Sequence, residues 1–170
     1  MTKLLLSIHV IAAILAIGPI AVAASLFPRY ARQSASNHSA QSTQSASARP
    51  EGSDAQRATA VAALLHRICR GYALVGIAVP LFGVATAAQL GVLTDVWLIA
   101  SIVLTTVAVL VLALAIIPAQ GGLLTAPEDT ATNGNSAVAA RLAMLTGVFN
   151  LLWAIVVVLM IVRPGSTTGA

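Results

Sequence analysis

Charge is what this chain of 170 residues has least of: Asp, Glu, Lys and Arg together make up 8% of it, against roughly 25% in a soluble domain. Fourteen charges cannot coat a water-soluble fold of this size, which excludes an ordinary cytosolic enzyme. A disordered chain is excluded by the opposite balance, because 58% of the side chains are hydrophobic. Cysteine occurs once, as Cys69, which excludes an intrachain disulfide and any Cys-based zinc or iron–sulfur cage. P-loop, His-Glu-x-x-His and Gly-x-Ser-x-Gly patterns are missing. The one adjacent carboxylate pair, Glu128-Asp129, falls in a connecting loop. The net charge of +4 comes from cations scattered along the flanks of apolar runs rather than gathered into a basic domain, so nucleic acid is not an expected partner.

What is there is apolar length. Four uninterrupted runs, Leu4–Phe27, Tyr72–Leu93, Val96–Pro118 and Leu142–Val162, each span 21 to 24 residues with no Asp, Glu, Lys or Arg inside. A helix needs about 20 such residues to cross the hydrocarbon of a bilayer. Lipid-exposed backbone must bond to itself, and the alternation of a membrane barrel is missing. The expected fold is an all-α membrane protein, a single four-span bundle with the lipid bilayer as its main partner. Arg29, Arg32, Arg49, Arg57, Arg67, Arg70 and Arg141 flank the runs on one side, Lys3 and Arg163 on the other. Seven against two predicts both long loops in the cytoplasm, both termini outside, and a multi-pass protein of the plasma (bacterial inner) membrane. Ala21-Val22-Ala23 fits a signal-peptide cleavage pattern, but the first run is longer than an h-region, so it is expected to stay as a span.

Between the first two spans, residues 33–60 carry seven serines and no apolar periodicity, which predicts a disordered cytoplasmic linker. Val61, Leu64, Leu65 and Ile68 then fall at helical spacing, an amphipathic extension of span two. Within the spans the polar groups are few, and the lack of a carboxylate or cation disfavours ion-coupled transport. His9 is the only ionisable group inside a span, about 8 Å below the helix end by helical rise. It shares a face with Ala12, Ala13 and Ala16, and small-residue faces are where membrane helices approach. Gln89 and Ser101 are its expected polar partners at similar depth, and Asn150 is expected to bond between helices. Gly83, Ala87 and Gly91 recur every four residues as a second packing face. Pro19 and Pro80 sit at matching depth as expected kinks. His66 and His38 fall on the far side of the hydrocarbon from His9, so an intrachain bis-histidine haem is not expected.

The opening Lys3-Leu-Leu-Leu-Ser-Ile-His9 with Gly18-Pro19 downstream resembles the uncharacterised integral-membrane family catalogued as domain of unknown function 2269. The likeness covers all four spans and implies a four-helix membrane protein without an assigned activity. More distantly, a His after a Lys in span one, and Pro28-Arg29 near its end, are similar to copper-resistance permeases and to small membrane protoporphyrinogen oxidases. That similarity implies His9 as a haem or copper ligand. The later-span lysine of the oxidases and further His or Met in spans two and three are lacking. Three functions follow as expectations. One is a non-enzymatic membrane subunit or scaffold, partnered by further copies or other membrane subunits and needing no cofactor. The second is a haem- or copper-associated protein using His9. The third is a small-molecule permease.

Overall fold

A computed structural model of the chain describes residues 2–43, 52–125 and 134–165. They are helical throughout apart from short turns: α1 (Thr2–Thr43), α2 (Gly52–Gly76), α3 (Ala78–Leu90), α4 (Val96–Leu110), a π-helical stretch (Val111–Ile116), α5 (Ile117–Thr125) and α6 (Gly134–Val162). α2 continues into α3, and α4 through the π turns into α5. This gives four helices long and apolar enough to cross a membrane, Lys3–Ser34, Gln56–Leu90, Val96–Thr125 and Ala137–Val162. The protein is an integral membrane protein of four up-and-down helices.

Each proline removes one backbone donor; Pro19 and Pro28 lie inside an unbroken α1, whereas Pro80 and Pro118 lie next to departures from regular α-helix. Pro28 sits inside α1 and cannot bond the carbonyl of Ala24; the hydroxyl of Thr146 on α6 donates to that carbonyl instead, at 3.5 Å. Ahead of Pro80 the second span breaks at Ile77, whose N–H turns back to Leu74 at 3.2 Å. In the third span the π turns end just before Pro118. Wider turns have a consequence for packing. Ala108, Leu112, Ile116 and Gln120 are spaced by four and are all buried. In a regular helix, three such steps would rotate the face by about 120°. The π turns hold more residues per turn and take up most of that drift.

α1 is the central helix and packs against α2, α3 and α6, while α4 leans on α6 and α5 on α2. The main core joins Ile20, Ala23, Ala24 and Phe27 of α1 to Leu65 and Cys69 of α2, Ile116 of the third span and Phe149 of α6. Alanines at these contacts let the backbones approach. Outward-facing Leu, Ile and Val, such as Leu114 at 72% exposure, form the lipid-facing surface. At the end holding the termini, Ala87, Trp97 and Leu98 form a smaller cluster with Met160 against it. There the Trp97 indole donates to Asp95 at 2.9 Å, and the Arg163 guanidinium lies 5.5 Å from the Trp97 ring.

Three expectations shift. The linker expected to be disordered is helical over 33–43 and 52–60; residues 44–51 lie outside the described residues. No Gly or Pro interrupts 29–43, so an existing helix propagates at little cost. Ser34 and Ser36 bond back to carbonyls of their own helix. Span two ends at Leu90 rather than Leu93, because Gly91 takes a left-handed conformation (φ 71°) and its N–H returns to Ala88. The apolar stripe of 61–68 packs in part on α1, with Leu65 buried. Replacing fully buried Phe27 by Ala is expected to cost about 3 kcal/mol of stability in detergent. Leu114→Ala on the lipid-facing side should shift thermal unfolding little, and equal shifts would place the core elsewhere.

Candidate functional site

His9 projects from α1 towards α3 and is buried to 8% exposure. Its Nδ1 lies 2.9 Å from the carbonyl oxygen of Val79, one residue before Pro80. A carbonyl only accepts, so Nδ1 carries the proton and donates. Room for the ring comes from Gly83, where an added Cβ would stand 2.9 Å from His9 Cε1. The sequence periodicity that marks Gly83 as a packing position is therefore explained by an imidazole rather than by a second backbone.

Beside this pair lies a cavity of about 710 Å³, walled by His9 and Ala13 of α1, Gly83 of α3, Ser101, Thr105 and Thr106 of α4 and Trp153 of α6, with apolar side chains elsewhere. It sits where α3 and α4 stand apart below their contact at Ala87, Trp97 and Leu98. Its polar groups are mostly spoken for. Ser101, fully buried, donates to Trp97 of its own helix at 2.8 Å, and Thr106 donates to Ile102 at 2.8 Å. The Trp153 indole N–H is sealed from solvent without a partner. The second ring nitrogen of His9, Nε2, has no partner among the described residues and is not sealed.

The sequence-derived site residues separate. His9 and Gly83 meet. Ala16 is fully buried and Ala12 half-buried on α1, and Ala87 is buried against Trp97 and Leu98. Ser101 comes to the cavity wall but bonds within α4, and Gln89 is exposed, so neither is the polar partner of His9; the backbone of Val79 is. Gly91 caps α3, with open space where a side chain would stand. Asn150 does bond between helices, its Nδ2 donating to Ser25 Oγ at 3.1 Å, while its Oδ1 is buried without a partner.

A second polar cluster escapes the sequence reading. His66 Nδ1 donates to Gln120 Oε1 at 3.2 Å, and Gln120 Nε2 points to Cys69 Sγ at 3.7 Å. That sulfur lies 4.0 Å from the Ile20 carbonyl. Gln120 has no exposed surface, although its sequence position suggests a polar loop. Only the phase set by the π turns brings it inside. Ile20 is eleven residues from His9, about 16 Å along α1, so the two histidines serve different ends of the bundle. Among the described residues no three His, Cys, Asp or Glu side chains converge as metal ligands. At the same end as His66, a groove of about 560 Å³ on α1 and α6 is lined by Arg29, Arg32, Gln33 and Ser36.

Comparison with protein-family models, with curated proteins and with solved structures finds no match to this chain.

Gly83→Ala is expected to destabilise the bundle by about 1–3 kcal/mol, because the ring of His9 must move. In a His9→Ala background the same change should be nearly silent, a coupling that a double-mutant cycle of thermal unfolding in detergent reads directly. Additive effects would mean that Gly83 meets something else. Gln120→Leu, which strips His66 of its acceptor, should cost about 1 kcal/mol.

Proposed function

We propose that this protein is a non-enzymatic subunit of the plasma membrane whose cavity receives an apolar molecule from the bilayer, with His9 as its polar contact. The observation that carries this reading is the apolar cavity of about 710 Å³ with, in its wall, one imidazole nitrogen that has no partner among the described residues. That volume is within the range of small-molecule sites, which are mostly apolar with a few placed polar groups. The family suggested by the opening of span one, with no assigned activity, is compatible with a binding role. Extraction of the detergent-purified protein and mass spectrometry should recover an apolar molecule. Ala13→Phe, which fills the cavity, should remove it while leaving the fold intact. An equal yield from the filled variant would place the molecule on the lipid-facing surface and end this reading.

A second reading takes the same nitrogen as an axial haem ligand. It is favoured by Nδ1 being held on a backbone carbonyl, the arrangement that fixes ligating histidines. A Soret band in the wild type that is lost in His9→Gln would establish it.

For orientation we propose both termini outside and both connecting loops in the cytoplasm. The support is the uneven placing of Lys and Arg. Arg29 and Arg32 also line an open groove with no ion pair among the described residues, as suits a headgroup zone of negative charge. With Cys69→Ser as background, a cysteine at position 167 should react with an impermeant reagent on intact cells and one at position 42 should not. The reverse pattern would invert the topology.

A further inference from the structure

We infer that the cavity ligand is a hydrogen-bond donor: a neutral apolar molecule with a phenolic hydroxyl, such as an alkylphenol or hydroquinone head, whose O–H is accepted by His9 Nε2. This rests on the reading that the cavity takes an apolar ligand and goes further by fixing its chemistry.

The direction of the hydrogen bond follows from the carbonyl of Val79. Because that oxygen can only accept, the neutral ring keeps its single proton on Nδ1, 2.9 Å away. Nε2 is then a bare lone pair on a side chain more than nine-tenths buried. Among the described residues it has no partner, it is not sealed, and its residue lines the cavity. A buried acceptor without a donor is costly, and among the described residues no wall group is seen donating to it. Ser101 and Thr106 have committed their protons to their own helix, and the Trp153 N–H is enclosed. Among the described residues the Thr105 hydroxyl is the wall hydroxyl without a partner, and it is a group a bound ligand would have to outcompete for Nε2.

Charge narrows the ligand further. No Asp, Glu, Lys or Arg lines the cavity, so an ionic head would be buried without a counter-charge, which hydrocarbon surroundings penalise heavily. Among neutral donors a phenolic O–H is stronger than an aliphatic one. Its ring also suits a wall that contains Trp153, since aromatic pairs gain from edge or offset contacts. The apolar remainder of the cavity accommodates a tail.

The test compares para-decylphenol with its methyl ether, two molecules of nearly equal shape of which one lacks the donor. Binding to the full chain in detergent is followed by tryptophan fluorescence and thermal shift. The wild type should bind the phenol about three- to tenfold more tightly than the ether, the value of one net hydrogen bond. His9→Gln, which keeps an acceptor, should retain a preference, and His9→Ala should abolish it. Ether bound as tightly as phenol by the wild type overturns the inference while leaving the apolar-ligand reading intact. Binding of neither overturns both. A phenol preference that survives in His9→Ala, or a His9-dependent Soret band on adding haem, also overturns it. If His9→Ala does not fold, the wild-type ratio of phenol to ether decides alone.

Discussion

Hydrocarbon offers no hydrogen bonds, so a backbone carbonyl that loses its helical partner must find another within the protein. Four prolines lie within the spans; Pro19 leaves α1 unbroken, and the condition is met differently at each of the other three. At Pro28 a threonine from the neighbouring α6 supplies the donor. Before Pro80 the helix breaks at Ile77 and restarts as α3. Before Pro118 the third span passes through π turns. Three features of the architecture go with these adjustments. The first contributes to holding α6 on α1. The second sets the start of α3, where Val79 meets His9. The third keeps Gln120 on the buried face.

The two polar clusters have the same logic at opposite ends of the bundle. In each, a histidine Nδ1 donates to an acceptor on another helical segment, Val79 in one case and Gln120 in the other. Their surroundings differ. His66 is half-buried, and its acceptor Gln120 belongs to a tightly packed contact of α1, α2 and α5. His9 faces unfilled space, because α3 and α4 are held together near their connecting turn and diverge below it. A pinned tautomer beside open apolar volume is the combination that supports our proposal of His9 as a binding group as well as a packing one.

Much of this was legible before the structure. His9 stood out because a lone ionisable group in hydrocarbon must be paired or functional, and Gly83 because small residues at spacing four mark a close approach. The partner of His9 was not legible, since sequence patterns point to side chains such as Gln89 and Ser101 and give no hint of a backbone carbonyl. Gly91 shares the spacing of Gly83 and Ala87, yet ends the helix; periodicity cannot tell a packing glycine from a capping one. Gln120 lay beyond the apparent end of span three.

Four membrane helices, their approximate limits and the asymmetry of flanking charge were determined by the sequence alone, because burial in lipid is a matter of composition and length. The tertiary structure decided which face of each helix turns inward, that α1 lies at the centre, and that α3 and α4 leave a half-open cavity rather than closing on each other. Part of that outcome goes with how the turns at Pro28, Pro80 and Pro118 are accommodated. The repair draws on groups distant in the chain, Thr146 for Ala24 being one, and on a change of helical pitch that no local pattern of residues announces.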